Sequence, residues 1–281
     1  MSRYLNPYTD FGFKKLFSEE GNKDLLTDFL NQLLPPHHQI HTLQFKNPEN
    51  LPELPVERKA IFDIYCQSIT GEYFIVEMQK ANIDFFKDRA LFYSTFPIRD
   101  QVKRGKWNFK LAPIYFVAIL DFCYDELEEK QKLLREVALR DQDGELFYDK
   151  LFFKFLQMPL FTKQESELKT HFDKWLYFLK NLSSFEHIPA ILNEPLFQKA
   201  FEILEEANLN REQQEQYLKS FLNYNELKSV VDTARLKGRT EGRQEGSKET
   251  REAIARSLLD ILDVETISLK TGLSPDEIKR L

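Results

Sequence analysis

The chain has 281 residues, 42% hydrophobic and 14% aromatic, with 25 Phe. That is enough apolar material for one large domain or two small ones, and it excludes a disordered chain. A net charge of −6 excludes a chain coated in basic surface for bulk nucleic-acid binding, and only two cysteines exclude a disulfide scaffold.

Cys66 and Cys123 both lie in apolar, strand-like runs and read as reduced core residues. The opening Met-Ser-Arg-Tyr-Leu-Asn-Pro has no apolar stretch of the secretory kind, and no run of 18 apolar residues occurs. The expectation is a cytoplasmic protein with no membrane segment. Residues 1 to 35 read as helices. Thr9 caps a short one carrying Phe13, Leu16 and Phe17, with Asp10 favouring its N-terminus. Asn22 caps a second, with Leu25, Leu26, Phe29, Leu30, Leu33 and Leu34 on one stripe, and Pro35-Pro36 ends it. His37, His38 and His41 have no Cys or second cluster beside them and read as a solvated loop rather than a zinc site. Ile40 to Phe45 reads as the first strand, and residues 47 to 55, with three prolines, as a loop.

The next stretch is a β-hairpin. Ala60 to Ile69 and Glu72 to Lys80 are rich in β-branched and aromatic residues and are separated by Thr70-Gly71. Alternation places Ala60, Phe62, Ile64 and Cys66 on one face, with Ile61, Asp63 and Tyr65 on the other. On the second strand Phe74, Val76 and Met78 oppose Tyr73, Ile75, Glu77 and Gln79. Acids inside apolar strands are unfavourable unless paired or bound to a metal. A two-residue turn at Thr70-Gly71 would pair Asp63 with Met78 and separate the acids. A three-residue loop, Ile69-Thr70-Gly71, would set Asp63 across from Glu77, and that loop type ends in a left-handed residue, the place Gly71 holds. The expectation is the second register, with Asp63, Glu77 and Gln79 side by side. Two carboxylates converging at a sheet suit a hard cation of the Mg²⁺ type.

Ala81 to Gly105 reads as a long helix, kinked or split by Pro97, with Arg89, Tyr93 and Gln101 on one face. The window from Arg99 to Lys110 carries Arg99, Lys103, Arg104, Lys106 and Lys110 against Asp100, interleaved with Trp107 and Phe109. It reads either as a contact to DNA phosphates or as a solvated helix end. Ala112 to Leu120 is a buried strand. Leu133 to Leu160 reads as strands around Asp141-Gln142-Asp143-Gly144, and helices follow to Leu236. Lys237 to Glu249 has Gly238, Gly242 and Gly246 among charges and reads as a linker or frayed helix. Residues 251 to 281 form a miniature helix-turn-helix whose last helix opens on the capping box Ser274-Pro275-Asp276-Glu277. Two acids at that helix start make it a poor DNA reader; packing or partner binding fits it better.

Asp63 followed by Glu77-Met78-Gln79 resembles the PD-(D/E)XK nuclease motif, and within it the branch of recombination-promoting nucleases and transposases, where the last position is commonly Gln. Thr9-Asp10-Phe11-Gly12-Phe13-Lys14-Lys15-Leu16-Phe17 resembles that branch's opening motif, and so does Arg89-x-x-x-Tyr93 followed by Gln101 and Gly105. The resemblance covers residues 5 to 125 well and the tail more loosely. It implies an α/β fold, a restriction-endonuclease-like core in which a mixed sheet is flanked by helices, with a helical C-terminal region. The expected organisation is a nuclease-like domain over 1–160, a helical region over 161–236, a charged linker over 237–250 and the small module over 251–281. The implied activity is a DNA endonuclease of transposon origin that uses Mg²⁺ or Mn²⁺, linked to recombination or phage defence. Asp63, Glu77 and the Met78 carbonyl would hold the metal, Gln79 would orient the attacking water, and Asp10 has a second reading as an additional acid. Arg89, Tyr93, Arg99, Gln101, Lys103, Arg104 and Lys106 would face DNA. Phe62 stands where the motif has Pro, and Gln79 where it has Lys, so more of the electrostatic load falls on the metal. The rival reading is a catalytically silent nuclease fold that acts as a DNA- or protein-interaction module, with the C-terminal region joining a partner or a second copy. The retained acids speak against it.

Overall fold

The computed structural model describes residues 2–47, 49–50, 60–82, 85–102, 108–124 and 131–281. The chain divides into two compact units, Met1–Leu227 and Lys228–Leu281.

The first unit is built on a six-stranded mixed sheet. Its strands are β1 (Leu43–Phe45), β4 (Ile64–Ser68), β5 (Tyr73–Gln79), β6 (Ile114–Leu120), β7 (Leu134–Arg140) and β8 (Leu146–Gln157), in the spatial order β1-β4-β5-β6-β8-β7. The short strands β2 (Glu49–Asn50) and β3 (Ala60–Ile61) pair separately. β5, β6 and β8 run parallel at the centre, and β4 and β7 flank them antiparallel. Parallel strands are covered on both faces, which is why β6 is buried along its whole length.

Alternation sorts the sheet into two cores. Ile64, Cys66, Phe74, Val76 and Met78 face a helical layer formed by α1 (Asp10–Phe17), α2 (Lys23–Asn31), α4 (His171–Asn181) and α5 (Pro195–Ile203). Trp175 anchors that layer, packed in tilted and edge-on contacts among Phe17, Phe29, Phe178 and Phe197. Its indole N–H donates to Asp28 Oδ2 at 2.6 Å, which meets the one polar requirement of a buried Trp. On the other face Tyr65, Ile75, Phe116, Ala118 and Phe155 pack against Phe86, Ala90 and Phe96 of α3 (Phe86–Asp100). The helix expected over Ala81 to Gly105 is therefore shorter, and it runs on through Pro97.

The hairpin has the three-residue loop. Ser68 N donates to Glu72 O at 2.9 Å, Gly71 sits at φ 110°, and Ile64 pairs with Val76 and Cys66 with Phe74. One expectation fails here. Phe62 does not share a face with Ile64 and Cys66. Strand pairing is interrupted between β3 and β4, and Phe62 turns to the α3 side, where it meets the rings of Tyr65, Tyr93 and Phe96.

The helices after residue 160 complete the core of the first unit, so the expected boundary there is not a boundary in the structure. Residues 237–250, expected as a charged linker or a frayed helix, are helical; they belong to α6 (Arg211–Leu258), a 48-residue helix. Glycines 238, 242 and 246 have nothing within contact distance, and each costs about 1 kcal/mol against Ala in a helix interior. In the second unit the end of α6, α7 (Val264–Thr271) and α8 (Pro275–Ile278) enclose Ala255, Ile267, Leu273 and Ile278. Asp263 caps α7, Gly272 ends it at φ 72°, and Ser274 and Glu277 form the expected capping box on α8.

At the edge of the first unit's sheet, β7 leaves register with β8 on either side of Leu139, and Phe147 at the hairpin tip is 77% exposed.

The N-terminal motif has a steric reason. Thr9 Oγ1 accepts from Gly12 N at 3.0 Å and donates to Asn6 O at 2.7 Å, so the chain folds tightly back on the start of α1. A Cβ on Gly12 would lie 2.3 Å from Asn6 O and 2.9 Å from Thr9 Oγ1. Gly12→Ala should cost about 1–3 kcal/mol, because backbone must shift to admit the methyl group. Urea unfolding followed by tryptophan fluorescence would show it; an unchanged midpoint would mean that the loop yields freely.

Candidate active site

The site lies at the carboxyl end of β5, where the parallel strands β5 and β6 finish together with Gln79 opposite Leu120. Strand ends of this kind are the usual seat of function in α/β folds. Asp63 and Glu77 are locked by a reciprocal exchange. Met78 N donates to Asp63 Oδ2 at 2.8 Å, and Asp63 N donates to Glu77 Oε1 at 3.1 Å. Each carboxylate thus takes a backbone N–H where the ladder between β4 and β5 stops. Gln79 Nε2 donates to Glu77 Oε2 at 3.0 Å, and Arg89 of α3 donates to Gln79 Oε1. The Arg89 guanidinium also lies over the Tyr93 ring, 5.7 Å from its centroid. The result is one connected chain of polar groups, Arg89–Gln79–Glu77–Asp63. Sequence spacing placed Arg89 and Tyr93 on one face; it held no signal that Arg89 reaches Gln79.

Both carboxyls are pushed above their ordinary values. For Glu77 the main cause is burial, then the Asp63 charge; the Asp63 amide, Arg89 and Lys14 oppose it. For Asp63 burial again dominates, the Met78 amide opposes it, Asp10 adds to the rise, and Lys14 and Lys80 work against it. Burial also raises the Tyr93 hydroxyl, and the Glu77 charge adds to it. Asp10 and Lys14, on the exposed side of α1, form an ion pair at 2.9 Å. Asp10 is therefore held by Lys14 while its charge reaches Asp63. Lys14 and Lys80 are the cations that residue spacing did not single out, although Lys14 lies one helical turn after Asp10 in the opening motif.

The other expected contacts are distributed differently. Gln101 donates to Pro97 O at 3.0 Å and accepts from Ala112 N at 2.6 Å, so it ties the end of α3 to the entry of β6. Arg99 is exposed with its guanidinium over the Phe96 ring, 5.1 Å from the centroid. Lys103, Arg104 and Lys106 lie outside the described residues. His38 meets the Tyr115 hydroxyl rather than a metal-ligand cluster. Among the described residues no group of three His, Cys, Asp or Glu side chains is placed to hold a metal ion. The protein donors at this site are two carboxylates and the neighbouring backbone.

A family model described as PD-(D/E)XK nuclease family transposase matches residues 7–234. The chain belongs to this family. The match spans the sheet, the acid pair and the helices that follow it, so the fold is the PD-(D/E)XK α/β fold and the activity it supports is that of a nuclease. No curated protein and no solved structure matches the chain. PD-(D/E)XK nucleases generally use divalent metals and act on DNA. No described helix is long and apolar enough to cross a membrane.

The donor set fits such a cation. Two buried carboxylates held together, each resisting ionisation, are an anionic site whose charge a divalent ion would satisfy. Asp63 Oδ1 has no hydrogen-bond partner among the described residues, so it is left for a further ligand.

The raised Glu77 carboxyl gives a pH signature. Unfolded Glu ionises near about 4.3. Below that value both states are protonated and Glu77 contributes nothing to the difference. As pH rises, the unfolded chain loses its proton first, and the metal-free folded state loses stability until Glu77 has itself ionised. Glu77→Gln should therefore match wild type near pH 4 and be the more stable protein at pH 8. The gap should be about 1.4 kcal/mol for each unit by which folding raises the carboxyl. Urea titrations in chelator across that range measure it, and a gap that does not vary with pH would contradict the buried acid.

Proposed function

We propose that the chain hydrolyses phosphodiester bonds of DNA with a divalent ion, Mg²⁺ or Mn²⁺, held by Asp63, Glu77 and the Met78 carbonyl. The observation that carries this is the buried Asp63–Glu77 pair, linked to Gln79 at the end of β5. Bound there, the ion would supply an activated water and neutralise charge developing on the phosphate.

The chain's own groups do the rest. The backbone amides of Asp63 and Met78 hold the two carboxylates in place without solvent. Gln79 cannot add charge or act as a base. One of its N–H groups and its carbonyl oxygen are engaged by Glu77 and Arg89, which leaves the second N–H to orient a water. Gln79 is thus chiefly a positioning residue, aligning Glu77 with Arg89. Arg89, half-buried at the mouth of the site, offers a planar cation to a phosphate oxygen. Tyr93 beneath it limits where that cation can point. A role in recombination or defence, and an origin in a transposon, are part of this proposal; what supports them is the likeness to a transposase family, not this geometry.

Asp63→Asn keeps an oxygen for the Met78 amide and removes the charge; it should abolish cleavage of plasmid DNA and collapse metal affinity. Gln79→Ala should slow cleavage roughly ten- to a hundredfold, as loss of a positioning partner does, with metal affinity changed much less. Calorimetry with a non-cleaved substrate separates the two effects. Cleavage by Asp63→Asn at the wild-type rate would end the proposal.

A further inference from the structure

Beyond the end of β5, at Lys80, lies a cleft that the chemistry above does not use. Its volume is about 650 Å³, and it lies between α1, the end of β5 and the first turns of α6. Lys14, Lys15, Lys80 and Lys219 line it, against two acids, Asp10 and Glu19. In a chain of net charge −6 this is a local reversal of sign.

The four lysines are not equivalent. Lys14 is spent on Asp10 and Lys15 on Glu19, each at 2.9 Å. Lys80 and Lys219 have no carboxylate in ion-pair range among the described residues, and they sit on different walls. Between them the α6 wall presents neutral hydrogen-bonding amides, Gln216 and Asn223 among them. The walls are fixed to one another. Ser220 Oγ accepts from Phe11 N, and the Tyr217 hydroxyl accepts from Asn6 N, both at 3.0 Å. The cleft is tied to the acids through its lining: Lys80 follows Gln79 in the chain, and the charges of Lys14 and Lys80 act on Asp63. A phosphodiester approaching two carboxylates is repelled by them, and unpaired cations at the entrance offset that repulsion.

We infer that this cleft seats the backbone of the DNA strand that leads to the acid pair, with Lys80 and Lys219 contacting phosphates. The assignment rests on the nuclease reading for the identity of the polyanion. Its lining includes neither Arg99 nor Lys110.

The test is made in full-length Glu77→Gln, so that binding is read without cleavage. Affinity for a fluorescent DNA duplex is measured by anisotropy as a function of salt. Lys80→Gln with Lys219→Gln should reduce the slope of log affinity against log salt by about 1.8, from about 0.9 per phosphate contact. Lys219→Gln alone, on the exposed face of α6, should reduce it by about 0.9 and guards against misfolding near the site. Lys199→Gln, whose lysine pairs with Asp24 on the surface of α5, should leave the slope unchanged. An unaltered slope in both the single and double variants, or no binding of DNA at all, overturns the cleft. The two readings fail separately. Slopes that fall as expected in a protein whose wild type never cuts would remove the nuclease and keep the cleft. Metal-dependent cutting with unaltered slopes would do the reverse.

Discussion

Two side chains finish a ladder that the backbone leaves incomplete. Where pairing between β4 and β5 stops, the Asp63 carboxylate takes the Met78 N–H, and the Glu77 carboxylate takes the Asp63 N–H. The acids are therefore part of the sheet's hydrogen bonding as well as its charge. Buried donors need partners, so this exchange fixes both groups more firmly than packing alone would. Everything else at the site follows from it. Gln79 reaches Glu77 because it lies two residues further on the same face, Arg89 reaches Gln79 because α3 packs on that face, and Lys14 of α1 faces the charge so created.

The central register was legible in the residues because one glycine decided it. The three-residue loop ends in a left-handed residue, the place Gly71 holds, and with that loop the side-chain period of two brings Asp63 opposite Glu77. The caps at Thr9 and Ser274 were legible for a similar reason: short polar side chains before helical runs satisfy amides that nothing else can reach. The run from Leu151 to Leu156, apolar apart from Lys154, read as a strand but did not reveal that it pairs in parallel with β6.

What was not legible depended on distant contacts. Strict alternation put Phe62 with Ile64, but the cage of Tyr65, Tyr93 and Phe96 rings on the α3 side captures it where the strand is interrupted. The start of α3 was set too early because Phe85 adopts a left-handed backbone (φ 63°), a conformation that propensity does not assign to an aromatic residue. Charge and glycine in residues 237–250 pointed away from order, yet the helix that flanks them on both sides continues through. The basic cleft escaped notice because Lys80 and Lys219 are 139 positions apart in the chain, and only the docking of α6 onto α1 brings them to one cavity.

The irregular edge strand has a consequence for how the protein behaves in concentrated solution. β7 is the outermost strand on its side of the sheet, with Val137 and Leu139 exposed, and a straight edge of this kind would offer its free amides and carbonyls to a strand from another molecule. The two breaks in register around Leu139 interrupt that row, and Arg135, Glu136 and Arg140 set charges along it. Removing the four extra residues that β8 carries between Leu146 and Phe152 would bring the two strands back into register while leaving the acids of β5 untouched. A straightened edge would be open to pairing, so the departures from ideal pairing around Leu139, three strands away from the acids, keep this edge irregular.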